Sequence, residues 1–203
     1  MNNWQKLVST GILELYVLGE TSSSENEMIG DLAIAHPEIR QEIEEIELAM
    51  ERYAMAHAVA PDPIVKPLMM ATIDYMDRAQ NGEAFITPPL LSETSKPADF
   101  AQWLNREDMV LPEDTDDVYA KIICANEQMM TAIAWIKQMA PQEVHDHEHE
   151  KFLILEGTCN IYVEDTMVSL GAGDYFAIPL HKKHHVVVTS AQPCKAILQR
   201  VAA

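Results

Sequence analysis

Six of the chain's eight histidines fall between residues 145 and 185. They form two groups, His145, His147 and His149 in HDHEHE, and His181, His184 and His185 in HKKHH. Imidazoles mixed with carboxylates such as Glu150 are ligands for divalent transition metals, with Zn, Fe, Ni and Mn all compatible. On an extended strand His145, His147 and His149 share one parity and face one side. His184 returns after a turn. A lone core-facing histidine is ordinarily structural, but burying several imidazoles is costly unless they are hydrogen-bonded or ligated. The competing reading is a solvent-exposed hairpin rich in His and Glu. The rest of the chain carries no comparable cluster.

Short β-type runs and turns separate the two histidine groups. Strand-like stretches lie at 118–124, 130–138, 152–155, 159–163, 167–170, 175–178, 185–188 and 196–199. Those from 152 onward are short, β-branched or aromatic, and bounded by Gly, Asp, Asn or Pro. Gly157, Gly171 and Gly173 mark tight turns. This spacing suits a sandwich or small barrel, which would bring distant histidines to one metal. Phe152, Ile154, Tyr162, Phe176 and Ile178 are candidates for the apolar wall around it. His185, opposite in parity to His184, is expected outside the pocket.

The first part of the chain reads as helical. Leu7, Ile12, Leu13, Leu15, Tyr16 and Leu18 follow a helical apolar pattern that stops at Gly19. Ser22 with Glu25, or Ser24 with Glu27, could form a capping box for a second helix. Pro37 suits the first turn of a third. That helix repeats Ile39, Ile43, Ile46, Met50, Tyr53 and Ala54, with Glu42, Glu44, Glu45, Glu47 and Glu51 filling much of the remainder. It is amphipathic with a strongly acidic face, which suits either plain solvation or docking to a basic protein. Pro61 and Pro63 break the pattern. A fourth helix is expected over 63–79, with Val65, Leu68, Met69, Thr72, Ile73 and Met76 as its apolar stripe. Residues 81–114 read as a linker with a short helix near Pro97–Asn105, whose Phe100 and Trp103 should anchor it to a neighbour. The predicted organisation is α+β: helical residues 1–80, linker 81–114 and a β-barrel over 115–203.

The formal charge is -18, from 32 acidic and 14 basic residues. That balance argues against direct nucleic-acid binding, which needs clustered Lys or Arg. No run approaches the roughly 20 apolar residues of a membrane helix, and the N-terminus does not read as a signal peptide. Cys124, Cys159 and Cys194 sit among apolar neighbours, as buried thiols of a reducing compartment would. A cytoplasmic location is expected.

Two resemblances follow from these motifs. The stretch STGILELYVLGETSSSENEMIGDLAIAHPEIRQEIEEIELAMERYA, with "YVLG" closing one helix and "HPEIR" opening an acidic one, resembles the N-terminal domain of anti-sigma factors. That resemblance covers about residues 7–75. It implies a helical domain that holds an extracytoplasmic-function sigma factor away from RNA polymerase. One branch of that family carries a His-x3-Cys-x2-Cys zinc motif. This chain has no cysteine before Cys124, so its helical domain is expected to bind no zinc.

The second resemblance, over about residues 115–200, is to the cupins. Their first motif reads His-x-His, three or four residues, Glu, six residues, Gly. Here His145, His147, Glu150 and Gly157 supply it, with the His147–Glu150 gap one residue short. In the second motif Gly173, Pro179 and His184 fall at matching positions, His181 replaces a glycine and Val188 an asparagine. The resemblance implies His145, His147, Glu150 and His184 as ligands to a divalent transition metal. His149 is an alternative to Glu150, or a hydrogen-bonding support. Together the two resemblances point to the cupin-containing (ChrR-like) anti-sigma factors. They imply a sigma-factor partner, a metal-binding cupin as the sensory part, and a homodimer through the cupin as a further expectation. The alternative is a metal-dependent cupin enzyme, such as a dioxygenase or isomerase.

Overall fold

The computed structural model describes residue 6 and residues 8–203. Leu7, first in the expected N-terminal stripe, lies outside them. The chain divides into two compact units, Met1–Ala60 and Pro61–Ala203. Among the described residues no helix is long and apolar enough to cross a membrane.

The first unit is built from α1 (Ile12–Val17), α2 (Ser23–Ala35) and α3 (Pro37–Ala56). Gly19 follows α1 at φ 74°, a left-handed conformation that glycine adopts without a Cβ clash. Of the two candidate capping boxes, Ser22 with Glu25 forms. The Glu25 carboxylate accepts from the Ser22 backbone N–H at 2.8 Å, and Ser22 Oγ accepts from the Glu25 N–H at 3.4 Å. Pro37 occupies the first turn of α3, where no intrahelical donor is required. Leu13, Ile29 and Ile39 form the buried core, with Tyr16, Leu32, Ile43 and Ile46 packed against it. The α3 stripe is therefore buried only along its N-terminal half. Tyr53 and Met55 beyond it are exposed.

The second unit contains α4 (Val65–Gln80), a 3-10 turn at Pro97–Phe100, α5 (Ala101–Leu104) and the barrel strands. These are β1 (Val118–Ala125), β2 (Met129–Ile136), β3 (Met139–Glu143), β4 (Glu148–Glu156), β5 (Thr158–Val163), β6 (Thr166–Gly171), β7 (Tyr175–Ala177), β8 (His184–Val188) and β9 (Cys194–Ala202). One sheet runs β1-β2-β9-β4-β7, the other β3-β8-β5-β6. The pattern of alternating runs locates every strand but β3. MAPQE carries a proline and no β-branched residue, so it falls outside the stretches that read as strands. It forms a strand because it pairs with β8 at the sheet edge, and the ladder is irregular between Ala140 and Glu143, around Pro141.

Inward-facing Ala134, Ile136, Phe152, Ile154, Cys159, Ile161, Val186 and Leu198 fill the barrel. The outer face of the five-stranded sheet is covered by the linker. Leu91, Phe100, Trp103 and Met109 pack there on Ile123, Ile133, Trp135, Leu153 and Ile197, so the expected aromatic anchors hold the short helical segment to this unit's own barrel. The buried Gln199 side chain ties the linker down. Its carbonyl accepts from Leu91 N–H at 2.8 Å, while its amide donates to Pro89 O and Thr131 Oγ1, each at 3.1 Å.

The unit boundary at Ala60/Pro61 precedes α4, whereas the sequence reading drew it at residue 80. The reason is the face α4 buries. Ala71 and Tyr75 pack on Ala120, Ile122 and Ala132 of β1 and β2, and the Tyr75 hydroxyl donates to Ala125 O at 3.3 Å. Val65, Met69, Ile73 and Met76 of the expected apolar stripe are each about half exposed.

Gly157, at φ 75°, joins β4 to β5. A Cβ there would lie 2.8 Å from Ser190 Oγ and 2.9 Å from the Pro193 carbonyl oxygen. Gly157→Ala is therefore expected to cost more than about 1 kcal/mol in urea unfolding, since it adds both a strained φ and a backbone clash.

Candidate metal centre

The barrel's two sheets each bring a facing pair to one end. In the four-stranded sheet Glu143 of β3 lies opposite His184 of β8. In the five-stranded sheet Glu150 of β4 lies opposite Arg200 of β9. His145 sits on the connection between β3 and β4. One ligand atom from each of His145, Glu150 and His184 lies within 4.8 Å of the others.

The sequence reading extended one strand through His145, His147 and His149. The chain instead turns, and β4 begins only at Glu148. Strand alternation then sends Glu150 inward with Phe152 and Ile154, and His149 to the opposite face. His147 and His149 are exposed and do not join the cluster. His185 stacks on Tyr162, its partner in the β5–β8 register, with ring centroids 4.7 Å apart. Phe152, Ile154 and Ile178 lie in the barrel core and Phe176 packs against it.

His181 stands where the cupin motif has glycine, and the reason is visible in its backbone. Its φ is 62°, the left-handed region. Its N–H donates to His145 O at 3.0 Å, and its ring lies 3.0 Å from Asp146 Oδ1. The left-handed turn thus clasps the loop that presents His145.

Glu150 is almost fully buried, yet both of its oxygens are engaged. Oε1 accepts from Arg200 Nε at 2.8 Å, and Oε2 lies 2.8 Å from His184 Nε2. Arg200 also donates through Nη2 to Glu143 Oε2 at 2.6 Å. Burial pushes the Glu150 carboxyl up, but the two imidazoles beside it and the Arg200 charge outweigh that and hold it well below the usual range. Burial opposes charge on His184, and the hydrogen bond and attraction to Glu150 overcome it, so its value is raised. Glu143 is raised by burial in spite of Arg200. Nothing in the sequence's histidine spacing points to Glu143 or Arg200. An arginine at the inward parity of a barrel strand is the signal that could have found it.

One polar atom in this group is orphaned. His145 Nε2 is buried and makes no hydrogen bond, with Glu150 Oε2 3.4 Å and Glu143 Oε2 3.6 Å away. Buried polar atoms are nearly always satisfied. An imidazole lone pair aimed at a carboxylate and a second imidazole is a donor set that a divalent cation completes. The residues present therefore fit a metal held by His145, Glu150 and His184. Arg200 fixes the orientation of Glu150 by occupying its other oxygen. Arg200→Lys, which loses the fork across Glu143 and Glu150, is expected to weaken Zn(II) binding about 10–100-fold by competition titration.

The barrel interior behind these residues is small. A cavity of about 30 Å³ is lined by Glu143, Glu150, His184 and Arg200 together with Ala120, Ala134, Phe152 and Leu198. A wider depression outside is lined by Asp62, Ile64, Glu143, His145, Lys183 and Arg200.

The family model described as "Cupin domain" matches residues 135–199. A search of curated protein sequences finds no match. Among solved structures, the chain is similar to the Cnp3 cupin domain of Schizosaccharomyces pombe at 12% identity and TM-score 0.42, covering 44% of this chain and 67% of that one. It is similar to KdgF from Halomonas sp. at 16% identity and TM-score 0.41, covering 45% and 86%. It is also similar to a predicted oxalate decarboxylase from Thermotoga maritima at 16% and 0.41, covering 42% and 81%. With the match to residues 135–199 falling on the two-sheet barrel that carries the His–Glu–His cluster, the second unit contains a cupin domain.

Proposed function

We propose that the chain is an anti-sigma-type regulator. Its first unit binds an extracytoplasmic-function sigma factor, and its cupin holds a divalent transition metal as the sensory centre. The observation that carries this reading is the surface of the first unit. Among the described residues there, only Leu13, Ile29 and Ile39 are fully buried, while Leu18, Ile34, Leu48, Tyr53, Met55 and Val59 are exposed. We read these exposed apolar groups as the anchor points of an interaction surface. They are set among eleven carboxylates against three cations (Lys6, Arg40 and Arg52) in residues 1–60. A partner with apolar anchors and a basic rim matches that surface, and the resemblance of the same stretch to anti-sigma domains supplies the sigma factor as that partner.

The metal would sit on His145, Glu150 and His184. It would supply an open Lewis-acidic or redox-active position to a small ligand. The chain's own part is to desolvate that position, to orient Glu150 through Arg200, and to keep the barrel interior apolar. The cavity between these residues is about 30 Å³, room for a water as it stands.

Hydrogen exchange of the full chain, alone and mixed with a co-encoded sigma factor, tests the reading. Protection of α1 and α3 amides is the expected result. A sigma factor that leaves both helices unprotected, together with oxygen uptake by the iron-loaded protein on phenolic substrates, would replace this reading with the enzyme.

A further inference from the structure

Three side chains at the start of α4 border the barrel cavity. Ile64, Pro67 and Leu68 line the same small cavity that reaches Glu150, His184 and Arg200. They share one face of the start of α4, spaced three and four residues apart as helix geometry requires. Further along that face, Ala71 and Tyr75 pack on β1 and β2, and Arg78 lies over Phe85 at 5.3 Å. The first turn is held more lightly than the rest. Lys66 and Asp116 are paired at 2.6 Å, but their side chains are 71% and 66% exposed, and such pairs contribute about 0–1 kcal/mol. Pro67 donates no hydrogen bond. Pro61 and Pro63 precede the turn and break the helix away from what comes before.

The lining is mixed in chemistry. Carboxylates, imidazole and guanidinium share it with the apolar side chains of Ala120, Ala134, Phe152 and Leu198 and with the aliphatic groups at the start of α4. Ile64 also borders the outer depression beside Glu143, His145 and Arg200. The guest that matches is a small molecule with an apolar body and an oxygen-bearing, metal-chelating head. A benzene-sized body needs a cavity on the order of 150 Å³, several times the space present. Interiors are close-packed and do not stretch to that extent. The wall is a paired sheet, whereas α4 is a helix laid against it, so α4 yields first.

We infer that the first turn of α4 is a ligand-displaced stopper, so that a chelating guest cannot occupy the barrel without lifting Ile64, Pro67 and Leu68 away from it. This rests on the sensory reading of the cupin and names its ligand class and its moving part. Displacing the first turn re-aims the half-exposed stripe Val65, Met69, Ile73 and Met76 on the other face of the same helix.

The test uses the full chain saturated with Zn(II), with 4-nitrocatechol as a chromophoric chelating probe. Binding to the wild type is expected to raise the amide exchange of residues 64–72 at least tenfold while β4 and β9 stay protected. Leu68→Ala, which makes room without displacement, is expected to bind the probe at least tenfold more tightly and to show little of that added exchange. Probe binding with unchanged exchange in α4, equal affinity in wild type and Leu68→Ala, or no binding to either protein would each overturn the stopper. No sigma factor is present, so failure here is distinct from failure of sigma-factor binding.

Discussion

Glu150→Ala is expected to abolish metal retention and to lower the stability of the second unit by about 3–5 kcal/mol. Glu150 is 2% exposed and accepts from Arg200, which is itself largely buried. Removing the carboxylate leaves a guanidinium facing an apolar barrel with only Glu143 to balance it. It also removes the partner of His184 Nε2. A loss of this size corresponds to a fall in Tm on the order of 10 °C for a unit of this length. Glu150→Gln separates the two effects. The amide oxygen can still accept from Arg200, so most stability is expected to remain while the anionic ligand is lost. Calorimetry and elemental analysis of the two variants check this. Metal content equal to wild type in Glu150→Gln would remove Glu150 from the centre.

The second large effect is expected at the first unit. Replacing Tyr53 and Met55 together by alanine should weaken the proposed sigma-factor binding by about 30-fold or more, since a hot-spot side chain such as Tyr carries roughly 2 kcal/mol or more at protein interfaces. The Tm should hardly move, because both side chains are exposed, 68% and 73%, and surface changes of this kind stay within about 0.5 kcal/mol. Reversing Glu44 and Glu47 to lysine should act differently. It should slow association and flatten its salt dependence more than it speeds dissociation, as rim charges do. Surface plasmon resonance at two ionic strengths distinguishes the two classes.

Much of the barrel was legible because its signals are local. Alternating β-branched residues and glycine turns marked eight of the strands, and the His–Glu–Gly and Gly–Pro–His spacings marked the loops that hold the cluster. Two differences between the sequence pattern and the structure have one origin: the local pattern does not continue. Parity carried His147 and His149 inward only if the strand began at His145, and the turn before Glu148 broke that parity. The α4 stripe was judged by hydropathy, which ranks Met69 and Met76 above Ala71 and Pro67. Burial is decided by which face meets β1, and small residues make that contact close. Arg200 was invisible for another reason. Its role exists only through the register that sets β9 against β4, a long-range pairing that no window of the sequence contains.

Joining the two units is the claim that the cupin centre alters the grip of the helical unit. The most direct measurement is the Kd of the full chain for the proposed sigma-factor partner, taken with Zn(II) saturated and again after exhaustive chelation. A coupling free energy of about 1–3 kcal/mol is typical of linked sites, so the two constants are expected to differ by roughly 5- to 150-fold, and the difference should vanish in His145→Ala/His184→Ala. Equal constants for the loaded and chelated protein would contradict a sensory role for the metal centre.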